Sequence, residues 1–300
     1  MRTIRITGTG SALPGRIVTN KELEHLVETS DEWIRERTGI GERHVSVGET
    51  VVTLASEAAR KALDQAGKTA EEIDLILVAT CSPEQYLPCC ACQVQAAIGA
   101  VNALAFDVNA ACSGFLFALN TADAYLRTGL AKSVLVIGSE VLSKLVDWTD
   151  RGSCILFGDG AGAVVVERCR AESWAVGYGN DLPETEKGMQ ETVEEKRIPS
   201  AGILGRALHS DGTGGGVLQC GARELVTPYA RTSAAKTDQN QPTDGREHYI
   251  QMDGQEVYRF ATRRVPQCIE EALSDAGLAV PDIDLFVLHQ ANARIIDAVA

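Results

Sequence analysis

Two stretches of this chain repeat one another at a fixed offset of 210 residues. Lys61–Thr80 reads KALDQAGKTAEEIDLILVAT and Glu271–Gln290 reads EALSDAGLAVPDIDLFVLHQ. Without a gap they agree at Ala62/Ala272, Leu63/Leu273, Ala66/Ala276, Gly67/Gly277, Ile73/Ile283, Asp74/Asp284 and Leu75/Leu285. Each copy predicts one unit: a helix stopped by glycine at its C-cap, a short linker carrying acids, and an apolar strand. Any two helix-glycine-strand units look somewhat alike, but gapless agreement over this span favours a duplicated α/β architecture.

Between the two copies the same grammar continues. Leu104–Val108 is apolar and strand-like, Gly114–Arg127 is helical and ends at Gly129, and Val134–Ile137 reads as a buried strand. Strands alternating with helices imply a mostly parallel sheet covered on both faces. From Gly177 to Glu247 the composition shifts to charged and turn-forming residues, as in Pro183–Lys187, Glu194–Arg197 and Thr232–Gly245. That stretch is open to two readings, solvated surface loops or a functional lid. The expected organisation is therefore an N-terminal half over 1–176, a loop-rich excursion over 177–247, and the start of a second half over 248–300. If the first unit runs from about Val52 to Glu167, a partner begun near Ala261 needs about another hundred residues, so the second half is expected to be incomplete at Ala300.

Composition narrows the class of function. A chain of 300 residues with 45% hydrophobic and 23% charged residues can bury a sizeable core, and no stretch approaches the ~18 apolar residues of a membrane span. Residues 1–20 lack a signal-peptide core, so the chain reads as soluble, unexported and without a membrane partner. A formal charge of -13 argues against nucleic acid, and any phosphate-bearing partner must meet a local cluster of Arg or Lys. Nine cysteines, an odd number, do not form a disulfide framework over this length and fit the reducing cytoplasm.

Cys112 lies in Asp107–Gly114, DVNAACSG, where a strand gives way to a helix. A thiol at a helix N-terminus has its thiolate favoured by the helix dipole, and the free N–H groups there could hold a developing oxyanion. Spacing alone leaves this open against an inert small hydrophobe. Cys89 and Cys92 form a C-x2-C, but no second pair with zinc-ligand spacing follows, and no metal site is expected. His289 ends the second echoed strand, Leu285–His289. The repeat could bring it to a shared axis with Cys112, where it could donate a hydrogen bond or move a proton, although a histidine at a strand end also serves as a satisfied structural residue. The glycine run of Phe157–Ala163, FGDGAGA, is flanked by the strand-like Cys154–Phe157 and Ala163–Glu167, so it is expected to join two strands rather than to form a dinucleotide loop, which needs a helix there.

The motifs together resemble a known family. Ile6–Pro14 (ITGTGSALP), Asp31–Ile40 (DEWIRERTGI), Asp107–Phe115 (DVNAACSGF), Asp150–Ser153 (DRGS), Phe157–Ala163 (FGDGAGA) and His289–Asn292 (HQAN) occur in order along nearly the whole chain, as in the β-ketoacyl-acyl carrier protein synthase III family. The resemblance implies a thiolase-like fold of class α/β, with duplicated βαβαβ halves and covered mixed sheets. It implies a decarboxylative Claisen condensation that starts fatty-acid synthesis, in which Cys112 takes the acyl group of an acyl-CoA and malonyl-acyl carrier protein supplies the carbanion. His289 would stabilise the enolate and the Cys112 N–H would serve the oxyanion hole. Trp33, Arg37 and Arg151 match the family's coenzyme A contacts, an indole face for adenine and two guanidiniums for phosphate. Asn292 matches a contact to the pantetheine arm, and Arg294 a position facing the acidic carrier protein. Coenzyme A thioester enters as substrate, with no permanently bound cofactor, and the family state is a homodimer whose acyl tunnel is gated near Leu87. The family's third catalytic residue, an asparagine, would fall beyond Ala300, which leaves the activity of the 300-residue form open. Alternatives within and outside this reading are a condensing enzyme or acyltransferase of a specialised pathway, and an inactive truncated relative.

Overall fold

The computed structural model describes residues 2–170, 202–221 and 248–300. Of the expected excursion, 177–247, only 202–221 falls among them. The strands are β1 (Arg2–Ala12), β2 (Ile17–Thr19), β3 (Glu42–His44), β4 (Leu75–Ala79), β5 (Leu104–Val108), β6 (Ser133–Val141), β7 (Asp159–Arg170), β8 (Leu218–Gln219) and β9 (Gln251–Met252). The helices are α1 (Asn20–Leu23), α2 (Asp31–Thr38), α3 (Val51–Ala66), α4 (Cys90–Ile98), α5 (Gly114–Thr128), α6 (Arg151–Cys154), α7 (Gly254–Ala276) and α8 (Ala293–Val299).

Five strands form one mixed sheet in the order β1-β7-β6-β4-β5. β4 runs parallel to both β5 and β6, whereas β7 runs antiparallel to β6 and β1. All five residues of β4 are buried, as expected of a central strand covered on both faces. On one face, Val51, Leu54, Ala58, Ala59 and Ala62 of α3 meet Ile76, Val78, Leu135 and Ile137, with Val94 of α4 beside them. On the other, Ala118, Ala122 and Leu126 of α5 cover Leu75, Leu77, Val134 and Val136. A third cluster, of Leu23, Ile34, Val146, Cys154, Ile155 and Ile250, joins α1 and α2 to the segments around α6 and β9.

The 210-residue echo is visible bond by bond. Gly67 and Gly277 stop α3 and α7 in the left-handed conformation, at φ 64° and 70°. Behind them Lys68 N donates to Leu63 O at 3.0 Å and Leu278 N donates to Leu273 O at 2.9 Å. In both linkers an acid three residues on accepts a backbone N–H: Glu72 Oε2 from Thr69 at 2.9 Å, and Asp282 Oδ2 from Ala279 at 2.8 Å. The likeness extends to what lies against each helix. At Gly8 of β1 an added Cβ would stand 2.2 Å from Ala62 O and 2.8 Å from Ala66 Cβ, and at Gly205 one would stand 2.1 Å from Ala272 O and 2.9 Å from Ala276 Cβ. The next residue is tied in the same way, Thr9 N to Gln65 Oε1 and Arg206 N to Asp275 Oδ2. The segment around Gly205 thus meets α7 as β1 meets α3.

Two sequence expectations are corrected. Leu285–His289 joins no ladder among the described residues, and Leu285 and Val287 are 75% and 81% exposed. The matching Leu75–Ala79 is a strand because β5 and β6 pair with it, and no described strand lies beside the second copy. The glycine run does not join two strands either. Cys154 ends α6, and Gly160 and Gly162 lie inside β7, opposite Glu140 and Gly138 of β6. At Gly160 an added Cβ would meet the Leu13 side chain, Cδ2 at 2.9 Å, while Gly162 faces open space.

Those contacts yield a graded test. Gly8→Ala and Gly205→Ala should each cost about 2 kcal/mol or more, because the obstructing atoms are helix backbone that cannot turn aside, while Gly162→Ala should cost less than about 1 kcal/mol. Urea unfolding of the three variants checks this. Wild-type stability in Gly8→Ala would show that β1 and α3 do not approach so closely.

Candidate active site

The parallel strands β4 and β5 end together at the Ala79–Val108 pair, and the chain beyond each forms the rim of the site. Ligand and reaction centres of such sheets lie at the carboxyl ends of parallel strands. After Val108 the chain turns through Asn109 and Ala110, makes one 3-10 turn over Ala111–Ser113, and enters α5 at Gly114. Ala111 holds φ at 45°, a left-handed conformation that costs a residue with a side chain about 1 kcal/mol or more. Gly114 rests on β4, where an added Cβ would stand 3.2 Å from Ala79 Cβ. Asp107, on β5, accepts the N–H groups of Cys90 and Ala91 at 2.9 and 2.7 Å, so the strand that delivers Cys112 also caps α4. This uses the first turn of the helix that Cys89 caps.

Cys112 is exposed as a residue. Its thiol is nevertheless pushed up from its ordinary value, first by burial of the sulfur among surrounding groups and further by the charge of Glu140; a hydrogen bond from its own backbone pulls the other way. Burial and the Glu140 charge thus oppose the thiolate, while the hydrogen bond from the Cys112 backbone favours it. His289 is also exposed as a residue, but desolvation of its ring by surrounding groups lowers it from the ordinary histidine value, which favours the neutral ring as hydrogen-bond donor. Cys112 and His289 share no hydrogen bond among the described residues.

A compact basic group lies on the α2 side. Ser30 caps α2 by accepting the Trp33 N–H at 3.1 Å, which fixes the turn that carries the indole. The guanidinium carbon of Arg37 lies 4.4 Å from the Trp33 ring centroid, and that of Arg151, the first residue of α6, lies 4.8 Å from it. Arg151 also donates to Glu28 O at 3.2 Å. Two like charges gathered at one ring make a place where an anion is stabilised, inside a chain whose net charge is -13. Gly39, which ends α2 at φ 77°, stands against α8: a Cβ there would come 2.7 Å from Ala293 Cβ. The contact sets Asn292 and Arg294, on either side of Ala293, beside the end of α2. Asn292 Oδ1 caps α8 by accepting the Arg294 N–H at 2.9 Å, and the Arg294 guanidinium lies 5.8 Å from the Tyr258 ring. Trp33, Arg37 and Arg151 thus come together, with Asn292 and Arg294 adjoining.

Sequence reasoning missed Glu140 and Cys81. Glu140 is the half-buried penultimate residue of β6, and Cys81 lies just beyond β4. An acid near the end of an apolar strand was the available signal, since a charge there is either in solvent or at the site.

Comparison with known proteins agrees with this geometry. Residues 106–179, which include Cys112 and Arg151, match the family model for 3-oxoacyl-[acyl-carrier-protein (ACP)] synthase III. The chain is 43% identical over 300 residues to a β-ketoacyl-[acyl-carrier-protein] synthase III of Clostridium acetobutylicum, covering all of this chain and 80% of that protein. It superposes on the crystal structure of 3-oxoacyl-[acyl-carrier-protein] synthase III from Aquifex aeolicus with a TM-score of 0.78 at 38% identity, covering 99% of this chain and 79% of the other. The priming β-ketosynthase of the R1128 polyketide biosynthetic pathway gives 0.77 at 34% identity, covering 99% and 77%. Its α/β architecture with a mixed sheet is the thiolase-type fold, and the chain belongs to the β-ketoacyl-[acyl-carrier-protein] synthase III family of condensing acyltransferases.

Proposed function

We propose that this chain starts fatty-acid synthesis by joining an acyl-CoA primer to malonyl-acyl carrier protein, with Cys112 carrying the acyl group. The observation that supports this most directly is the delivery of Cys112 by the strained Ala111 turn to the carboxyl ends of two parallel strands, at the start of α5. The Cys112 sulfur attacks the thioester carbonyl, a new carbon–sulfur bond forms, and the coenzyme A thiol leaves with the proton. Malonyl then loses carbon dioxide, its carbanion attacks the acyl-Cys112 carbonyl, and the bond to sulfur breaks, which returns the cysteine. His289, neutral because it is desolvated, donates a hydrogen bond to the thioester oxygen that gains charge during decarboxylation.

Trp33 offers its indole to adenine while Arg37 and Arg151 take the phosphates, and Asn292 meets the pantetheine arm. Arg294 faces the acidic carrier protein. No cofactor is held between turnovers, since coenzyme A thioester arrives and leaves as substrate. The partner in assembly is a second copy: β5 is an edge strand of the sheet, and near it Val101, Leu104, Leu116 and Leu87 are 75%, 61%, 59% and 85% exposed. Leu87 would then be covered by the second copy at the mouth of the acyl tunnel. The odd cysteine count supports a cytoplasmic setting. No helix among the described residues is long and apolar enough to cross a membrane. Likeness to the R1128 priming ketosynthase supports a second reading, a condensing enzyme of a specialised pathway, which comparison of acetyl-CoA with longer primers separates.

Three outcomes are expected. A short acyl-CoA should add one acyl mass to the peptide containing Cys112, and Cys112→Ser should abolish this; labelling mainly on Cys89, Cys90 or Cys92 would overturn the assignment. His289→Ala should still acquire the acyl group while condensation falls by at least ~100-fold, followed in single turnover by mass and by product. Equal loss of both steps would reassign His289 as the base that activates Cys112. Arg37→Ala and Arg151→Ala should raise the acyl-CoA concentration needed for loading by about tenfold or more and leave pre-acylated enzyme able to condense.

A further inference from the structure

The turn after β4 is held by one carboxylate. Glu140, half-buried near the end of β6, accepts hydrogen bonds from the Cys81 backbone N–H at 2.8 Å, from Thr80 Oγ1 at 3.2 Å, and from Ser82 Oγ. Ser82 and Thr80 are themselves buried, and Ser82 Oγ accepts the Val141 N–H at 2.9 Å. On the other side Thr80 N donates to Val108 O at 3.2 Å, the last residue of the strand that leads to Cys112. The three residues Thr80–Ser82 therefore bridge the ends of β5 and β6, directly beyond Ala79, on which Gly114 and the start of α5 rest. A hydroxyl or amide could satisfy one of these donors. Three donors converging on one side chain suit a carboxylate, which has no proton to place.

We propose that Glu140 is a positioning residue for Cys112: it clamps the Thr80–Ser82 turn beneath the start of α5 and sets a fixed negative charge beside the nucleophilic thiol. The inference rests on Cys112 being the acyl acceptor. The ionisable groups facing this thiol are Cys81, from the turn, and Glu140, from β6, while Cys220 faces Cys81. The charge of Glu140 opposes ionisation of both neighbouring thiols. Cys81 is pushed up to about 12, by burial first and then by Glu140, so it stays a neutral thiol at working pH. Cys112 is raised by burial and by Glu140 but retains a hydrogen bond from its own backbone. The carboxylate thus does two things to the site. It fixes the floor on which the nucleophile stands, and its charge opposes ionisation of the sulfur there.

The test is the pH dependence of iodoacetamide alkylation, read on the Cys112 peptide by mass spectrometry, in the wild type, Glu140→Gln, Glu140→Asp and Cys81→Ser. Removing the charge should lower the Cys112 midpoint by at least about half a unit, roughly a threefold rise in thiolate fraction below it. Glu140→Asp, which keeps the charge, should leave the midpoint within about 0.2 units of wild type and still protect the turn. Cys81→Ser should also leave it there, because Cys81 is neutral. An unmoved midpoint in folded Glu140→Gln, or an equal fall in Glu140→Asp, would overturn the proposal, as would a fall in Cys81→Ser. Should Glu140→Gln fail to fold, the equally uncharged Glu140→Met takes its place with the same fall expected, and an unmoved midpoint in it would overturn the proposal. Failure of the underlying reading shows separately, as wild-type protein that gains no acyl mass on Cys112 from acyl-CoA.

Discussion

The backbone of β1 runs closer to α3 than any side chain on its inner face would permit. Gly8 and Gly10 lie against the carbonyls of Ala62 and Ala58, and the alanines of α3 supply a face flat enough to receive them. That contact fixes the distance between helix and sheet, and packing at this density leaves little room to vary it. The height of α3 then decides how Ile76, Val78, Leu135 and Ile137 are covered, and so where the central strands end. Since Cys112 is delivered from the end of β5, its place in space follows from a glycine more than a hundred residues earlier in the chain. The same arrangement recurs at Gly205 on Ala272, which shows that the duplication repeats a packing solution and not only a pattern of letters.

An acidic protein has to treat anionic substrates locally. Here the charges are segregated. Arg37 and Arg151 gather at Trp33, whereas the acid nearest the thiol, Glu140, turns its oxygens towards hydroxyls and an amide. His289 is lowered by desolvation of its ring, with no charged group among the causes. On the proposed function, a substrate with phosphates at one end would have that end drawn to the two guanidiniums at Trp33, while its thioester would meet the neutral His289 and the turn held by Glu140. Orientation comes from the distance between those two regions.

Much of this was legible in the sequence, for physical reasons that can be named. The helix stops at Gly67, Gly129 and Gly277 were readable because only glycine takes the left-handed C-cap at no cost, and all three do. β4, β5 and β6 were readable because continuous apolar runs between helices have few other uses. Leu285–His289 misled because a strand is a property of two neighbours, and the sequence of one segment does not say whether the other lies beside it. The glycine run misled because glycine permits a turn without requiring one; at Gly160 it serves instead to admit Leu13 within a strand. Of the candidate site, Cys112, Trp33, Arg37 and Arg151 were named through motif order, whereas Glu140 was missed. Its role depends on three donors brought together from 58 to 60 residues away, a convergence that only the folded sheet creates.

Ala111 carries a consequence of its own. A glycine would take its φ of 45° without cost, and would also give the chain more freedom before and after folding. Alanine narrows that freedom, so torsional stiffness in the main chain adds to what locates the sulfur next to it. Stiffness of this kind occupies no volume. On the proposed function, acyl groups of different bulk would then meet one sulfur held by its main chain without displacing side chains to reach it.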